Sequence, residues 1–348
     1  MAYTTIDKPT DYFNTKLYTG NGGSQSITGV GFQPDWCLIK NRNQALNPVA
    51  IDSVRGLKYL YTNSTSAEGD YSSAFTSFDS DGFSVGATDN VNGNGNGIVA
   101  FNWLAGGSAS SNSNGSITSS VSANTTAGFS IVKWTGNVTA GATVGHGLGS
   151  APKVVITKRT DGGTNKWVVG HGAIGFTEVI YLNETDAKAT DSGSWNNTAP
   201  SSTVFTVGNN NESNGNGYEF ISYCFAEKKG YSKFGSYTGN GNADGTFVYT
   251  GFKPAWLLVK KSSASGSDWN LHNNKSPGFN VNDNYLAPNE NAAEVTNNSY
   301  QIFDFTAQGF KCRGTGTGTN GSGATYIFMA FAESPFVTAG TKAAGTAR

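Results

Sequence analysis

The chain has 348 residues, 37% of them hydrophobic and 14% charged, with a net charge of −1. That is too long for one ordinary core, and a charge so near neutral gives no electrostatic reason to bind nucleic acid or an anionic membrane. Disorder is excluded too, because it needs high net charge, whereas 46 Gly and 12% aromatic residues point to short strands joined by tight turns.

In chain order, the first residues, Met1 to Lys8, show neither the basic nor the apolar region of a signal peptide. They predict synthesis in a cytoplasm without secretory export. No later run approaches the eighteen or so apolar residues of a membrane span, so no membrane insertion is expected. No long stretch carries a helical apolar period; Thr185–Ala189 is the nearest exception.

A first set of markers then begins. Tyr18-Thr19-Gly20-Asn21 is a turn, and Gly31-Phe32-Gln33-Pro34 leads into the apolar run Asp35–Lys40. Tyr59-Leu60 and Gly82-Phe83 follow, and Asn94-Gly95-Asn96-Gly97 closes the set before the aromatic strand Ile98–Trp103. Residues 106–127 are rich in Ser, Asn, Gly and Thr and read as a flexible linker, although Ile117 and Val121 suggest that part of it packs.

The second set runs Trp134-Thr135-Gly136-Asn137, a looser Gly147–Pro152 before Val154–Lys158, Tyr181-Leu182, Val204–Gly208, and Asn214-Gly215-Asn216-Gly217 before Tyr218–Phe225. The third runs Tyr237-Thr238-Gly239-Asn240, Gly251-Phe252-Lys253-Pro254 before Ala255–Lys260, Tyr285-Leu286, Gly309-Phe310, and Asn320-Gly321-Ser322-Gly323 before Tyr326–Phe331. Five markers in one order, three times over, predict a tandem triplication. The expected architecture is all-β: three tandem β-sandwich, jelly-roll-like repeat domains. Their boundaries are 1–105 with an N-terminal arm, 128–228 and 229–337, with 106–127 as linker and 338–348 as a small-residue tail. Continuous apolar runs such as Trp256–Val259 predict strands covered on both faces, and the Asn-Gly pairs predict type I′ hairpin turns.

Chemistry is sparse. Cys37, Cys224 and Cys312 are odd in number and lack metal spacing, so buried free thiols are expected. His171 and His272 each follow a tryptophan and read as equivalent positions in separate units; His146 lies in a Gly-rich turn. Asn240–Gly245 resembles the start of a calcium loop, but Gly251 stands where the closing Glu belongs, so it reads as a turn. The doublets Lys228-Lys229 and Lys260-Lys261 read as solvated strand ends. No catalytic residues, metal site or cofactor are predicted. Sugar recognition on β-sandwiches uses an exposed aromatic ringed by Asn, Asp and Thr. Trp195 and Tyr71, each in a polar stretch without strand character, are the candidate ligand contacts on that ground. Trp36, Trp103, Trp134, Trp167, Trp256 and Trp269 fall at strand positions and read as core.

The stretches Asp11–Gly22, Gly31–Lys40 and Gly230–Gly241 resemble a family of tandem-repeat proteins encoded by marine tailed phages of cyanobacteria and SAR11-type bacteria. The resemblance covers about Tyr12 to Phe336. It implies a virion structural protein released by lysis, with other virion proteins as partners, and it carries over no site residues. The expected function is non-enzymatic: a tail or fibre component, possible as a homotrimer, acting in attachment to a host surface glycan or protein. A head decoration or knob protein is the alternative, and a glycan depolymerase the third reading.

Overall fold

The computed structural model describes residues 4–337. The chain is all-β, with 43% strand and 4% helix. The first third contains β1 (Phe13–Thr19), β2 (Gln25–Thr28), β3 (Trp36–Asn41), β4 (Val49–Asp52), β5 (Lys58–Tyr61), β6 (Gly69–Asp70), β7 (Phe75–Asp79), β8 (Gly82–Val85) and β9 (Gly97–Trp103). Next come β10 (Ser110–Asn112), β11 (Ser119–Asn124), β12 (Phe129–Thr135), β13 (Ala142–Gly145), β14 (Val154–Arg159), β15 (Val168–His171), β16 (Gly175–Tyr181), β17 (Ala189–Thr190), β18 (Val204–Val207) and β19 (Glu219–Phe225). The last third holds β20 (Ser232–Thr238), β21 (Phe247–Tyr249), β22 (Phe252–Lys261), β23 (Asn270–Asn273), β24 (Phe303–Thr306), β25 (Gly309–Cys312) and β26 (Thr325–Pro335). Three single-turn helices interrupt them: α1 (Asp89–Asn92), α2 (Ser192–Trp195) and α3 (Asn211–Asn214).

Each third builds one large sheet and one small one. The large sheets run β1-β9-β3-β4-β5-β6, β10-β11-β12-β19-β14-β15-β16-β17 and β20-β26-β22-β23. The small ones are β2-β8-β7, β13-β18 and β21-β25-β24. Each small sheet packs on the outer face of its own large sheet, giving three separate cores, for example Ile27, Phe75 and Phe83 with Cys37, Ile39 and Ile51. The inner faces of all three large sheets meet in a fourth, shared core. Trp103, Phe225 and Phe331 converge there from three sheets, with Trp103–Phe331 ring centroids 5.7 Å apart and Phe225–Phe331 5.8 Å apart. Covered on both faces, β3, β14 and most of β22 are buried along their length, as their unalternating apolar runs require. A cavity of about 20 Å³ remains at the centre, walled by apolar groups such as Trp36, Leu258 and Met329. It has room for one water and no polar partner for it.

The three parts meet head to tail. Glu68 N donates to Thr160 O (2.8 Å), Lys188 N to Ser262 O (3.1 Å) and Glu294 N to Arg42 O (2.9 Å), so the contacts run from first to second, second to third and third back to first. Trp167 Nε1 donates to Tyr61 O and Trp269 Nε1 to Tyr181 O, both at 3.0 Å, across two of these seams. At the third seam, Thr62 Oγ1 donates to Pro288 O at 2.6 Å. Arg55 and Asp52 form a buried pair (2.6 Å) that Tyr223 joins from the second part, its hydroxyl donating to Asp52 at 2.8 Å.

A second recurring device explains two of the sequence markers at once. Asn92, Asn214 and Asn320 are fully buried. Each carboxamide oxygen accepts from the backbone N of Asn21, Asn137 or Asn240 at 2.9–3.0 Å. Each carboxamide nitrogen donates back to the side chain of that same residue and to two carbonyls, those of Gly23 and Gly86, Thr139 and Gly208, or Asn242 and Gly314. The Thr-Gly-Asn turn and the Asn-Gly-x-Gly turn are therefore one knot. A Cβ on Gly20, Gly136 or Gly239 would press into the facing carbonyl of Gly93, Gly215 or Gly321.

Several expectations are corrected. Residues 106–127 are not a flexible linker: β10 and β11 form a hairpin that extends the second large sheet, and Ile117 bridges Val144. The buried carboxylate of Asp35 pins the start of this segment by accepting from Ala105 N (2.8 Å) and Gly107 N (3.2 Å). Its strand period was hidden by composition, since Ile117, Ser119, Val121 and Ala123 alternate with polar neighbours. The expected domain boundaries do not enclose separately packed domains, because the inner face of every large sheet completes its burial only against the other two. The closing marker of the first unit is Asn92-Gly93-Asn94-Gly95, two residues earlier than expected, since a run of alternating Asn and Gly fits either register. The Asn-Gly turns close short helical turns or bends rather than two-residue hairpins. In the second unit the position of Leu60 and Leu286 is held by Ile180, not Leu182. His171 aligns with Asp52 and Asn273, while His272 aligns with Ile51 and Gly170. Lys260 is buried, not a solvated strand end. The tail 338–348 lies outside the described residues.

Candidate ligand-binding site

Both residues expected to contact a ligand are turned inward. Trp195 is 0% exposed and Tyr71 8%. Asp191 caps α2, its carboxylate accepting from Gly193 N (2.7 Å) and Ser194 Oγ (2.5 Å). That single turn swings the Trp195 indole under the loop, edge-on to Phe176 at 5.8 Å. Tyr71 lies against Tyr59, with ring centroids 4.5 Å apart. The Asp-Ser-Gly-Ser run before Trp195 was a readable helix start. The other six tryptophans are buried, as their strand positions predict.

Outside the buried Arg55–Asp52–Tyr223 group, the histidines and cysteines occupy separate places. His146 accepts from Leu148 N on Nδ1 and lies 3.2 Å from Ser201 O through Nε2. His171 accepts from Ala173 N on Nδ1 and lies 3.2 Å from Phe328 O. Burial holds the imidazoles of His171 and His272 down to about 4. All three cysteines are free and buried, and burial pushes the Cys312 thiol up to about 12. Lys40, Lys158 and Lys260 hold one ladder position in the three large sheets, beside Val99, Ile221 and Ile327. Burial holds each ammonium down to about 8, and each donates to backbone carbonyls, such as Asn41 O (2.7 Å), Asn165 O (2.5 Å) and Ser267 O (2.5 Å). Among the described residues no group of three or more His, Cys, Asp or Glu side chains could hold a metal ion.

One loop departs from this inward habit. Residues 274–302 connect β23 to β24 and leave Phe279 70% exposed, Tyr300 60% and Val281 46%. The loop is nonetheless tied down. The Asn280 carboxamide pairs with β24 like an added strand residue, donating to Phe305 O (3.0 Å) and accepting from Phe305 N (2.9 Å). Asn282 and Phe303 exchange both backbone hydrogen bonds, as do Tyr285 and Val295. Asn284 Oδ1 accepts from Asn297 N at 3.3 Å, and Asn298 Oδ1 accepts from Tyr300 N and Gln301 N. Asn297 sits at φ 52°, a left-handed conformation that Asn tolerates.

This framework surrounds a hollow of about 420 Å³ whose lining includes Pro277, Phe279, Asn280, Asp283, Thr296 and Asn297. Among the described residues the Asp283 carboxylate, the Thr296 hydroxyl and the Asn297 carboxamide have no hydrogen-bond or ion-pair partner, and no Lys, Arg or His lines the hollow. An aromatic face beside unengaged acceptors and donors can bind a ligand that is partly apolar and rich in hydroxyls. Sequence reasoning missed this loop although Pro277-Gly278-Phe279-Asn280 resembles the setting of Trp195. Local chemistry did not distinguish the two loops, since Asn273 accepts from Lys275 N and Ser276 N before Phe279 as Asp191 accepts from Gly193 N before Trp195.

Residues 8–335 match the model of a family described as Domain of unknown function (DUF7483). No curated protein and no solved structure matches the chain.

Proposed function

The chain belongs to the DUF7483 family, and we propose that it is a non-catalytic surface protein of a phage particle that presents the loop of its third unit to the host. The carrying observation is that loop: an anchored hollow beside Phe279, which at 70% is the most exposed large apolar side chain among the described residues. Placement on a virion rests on the resemblance of Asp11–Gly22 and its companions to phage tandem-repeat proteins. The three parts meet head to tail within one chain, so a threefold arrangement does not require a homotrimer, and association with other virion proteins remains the proposed partnership. Depolymerase activity finds no support in the loop, where among the described residues Asp283 is the only acid lining the hollow.

Antibody labelling of intact particles tests this reading. Label at the tail or its fibres supports host attachment. Label spread over the head makes the protein a decoration component, and unlabelled particles overturn the virion assignment.

A further inference from the structure

Building on the surface-binding reading, we propose that the hollow beside Phe279 binds a neutral sugar at the end of a short oligosaccharide. The ring stacks on Phe279, and its hydroxyls are held by Asp283, Thr296 and Asn297.

Four features select this ligand. First, Phe279 gains nothing for the fold: at 70% exposure it leaves apolar area in water that a partner's C–H face would cover. Second, the unengaged polar groups offer an acceptor-only carboxylate, a hydroxyl and a carboxamide. Sugar hydroxyls, which both donate and accept, can satisfy all three. Third, charge argues against an anionic ligand. Among the described residues Asp283 is the one charged side chain lining the hollow, so a sialylated, sulfated or phosphorylated group would meet repulsion from it with no described cation to offset it.

Fourth, the loop backbone is already committed. Asn282, Tyr285, Val295, Asn297, Asn298, Tyr300 and Gln301 use their amides within the loop or against β24. With these main-chain groups engaged, recognition by Asp283, Thr296 and Asn297 falls to their side chains. The same bonds hold the site in place before binding, which lowers the ordering cost of engaging a small ligand. A hollow of about 420 Å³ suits such a ligand.

The test uses the full-length protein on a printed array of neutral oligosaccharides with their sialylated and sulfated counterparts, followed by calorimetric titration of the strongest neutral binder. Binding to neutral glycans is expected, with Phe279→Ala and Asp283→Asn each weakening it about tenfold or more at an unchanged melting temperature. A preference for acidic glycans, or full affinity in Phe279→Ala and Asp283→Asn, overturns the proposal. Fluorescently labelled protein on host cells separates it from the surface-binding reading. Cell labelling with a blank array sinks the sugar assignment alone; a blank array without cell labelling sinks both.

Discussion

The segments that cross from β15 to β18 and from β23 to β24 occupy corresponding places in the second and third units, yet they treat their aromatic residue in opposite ways. In the second unit Asp191 starts one helical turn and Trp195 drops into a core with Phe176 and Phe205. In the third, the space under the loop is filled by Phe303 and Phe310, with His272 edge-on to Phe303 at 4.8 Å, and the loop's own Asn side chains pin it to β24. Phe279 is left outside. Local composition does not separate the two cases; what lies beneath each loop does.

The strongest challenge to any unit-by-unit view is to remove the neighbours. Residues 128–228 expressed alone should fail to fold, with collapsed dispersion in an amide NMR spectrum, because Ile131, Ile156, Tyr223 and Phe225 lose the shared core. The intact chain should accordingly melt in one calorimetric transition. Two well-separated transitions would mean that the units are stable apart.

Next in size, Trp195→Ala should cost about 3–5 kcal/mol, the usual range for emptying a buried tryptophan site. Phe279→Ala should stay within about 0.5 kcal/mol of wild type. Denaturant midpoints of the two variants measure the contrast directly, and equal losses would show that Phe279 also packs. Asn214→Ala strands the amide of Asn137 and the carbonyls of Thr139 and Gly208, at about 1–3 kcal/mol. Asn92→Ala and Asn320→Ala should lose similar amounts; a silent member would show that its knot is dispensable.

A pH dependence bears on all three parts together. Lys40, Lys158 and Lys260 are held at about 8 when folded and return to the ordinary lysine value when unfolded. Between pH 8 and about 10 the unfolded chain therefore binds more protons, so stability should rise with pH across that window. His171 and His272, held at about 4, act in the same direction lower down, and stability should fall as pH drops from about 6.5 toward 4. Replacing the three lysines by Met should flatten the alkaline rise, as read from denaturant midpoints. An unchanged slope would assign it to other groups.

Much of the fold was legible because it rests on short-range rules. Period and turn chemistry locate the strands, and uninterrupted runs such as Trp36–Ile39 announce burial on two faces, which the structure delivers as an outer small sheet and an inner shared core. The site was less legible. Trp195, Tyr71 and Phe279 all sit in short polar stretches, each preceded by a side chain that accepts from nearby backbone N–H groups, so those local signals do not tell the buried rings from the exposed one.

Alternating apolar residues, Gly at tight approaches and recurring Asn turns determine by themselves that this chain is β-rich, since each depends on neighbours a few residues away. Tertiary structure alone decided three things. It set the register of the ambiguous Asn-Gly run by burying Asn92 against Asn21. It turned residues 106–127 from apparent linker into strands by offering them the free edge of β12. And it chose which loop aromatic faces outward, because burial depends on whether the other sheets leave a space, and that is settled only when all three have closed around one core.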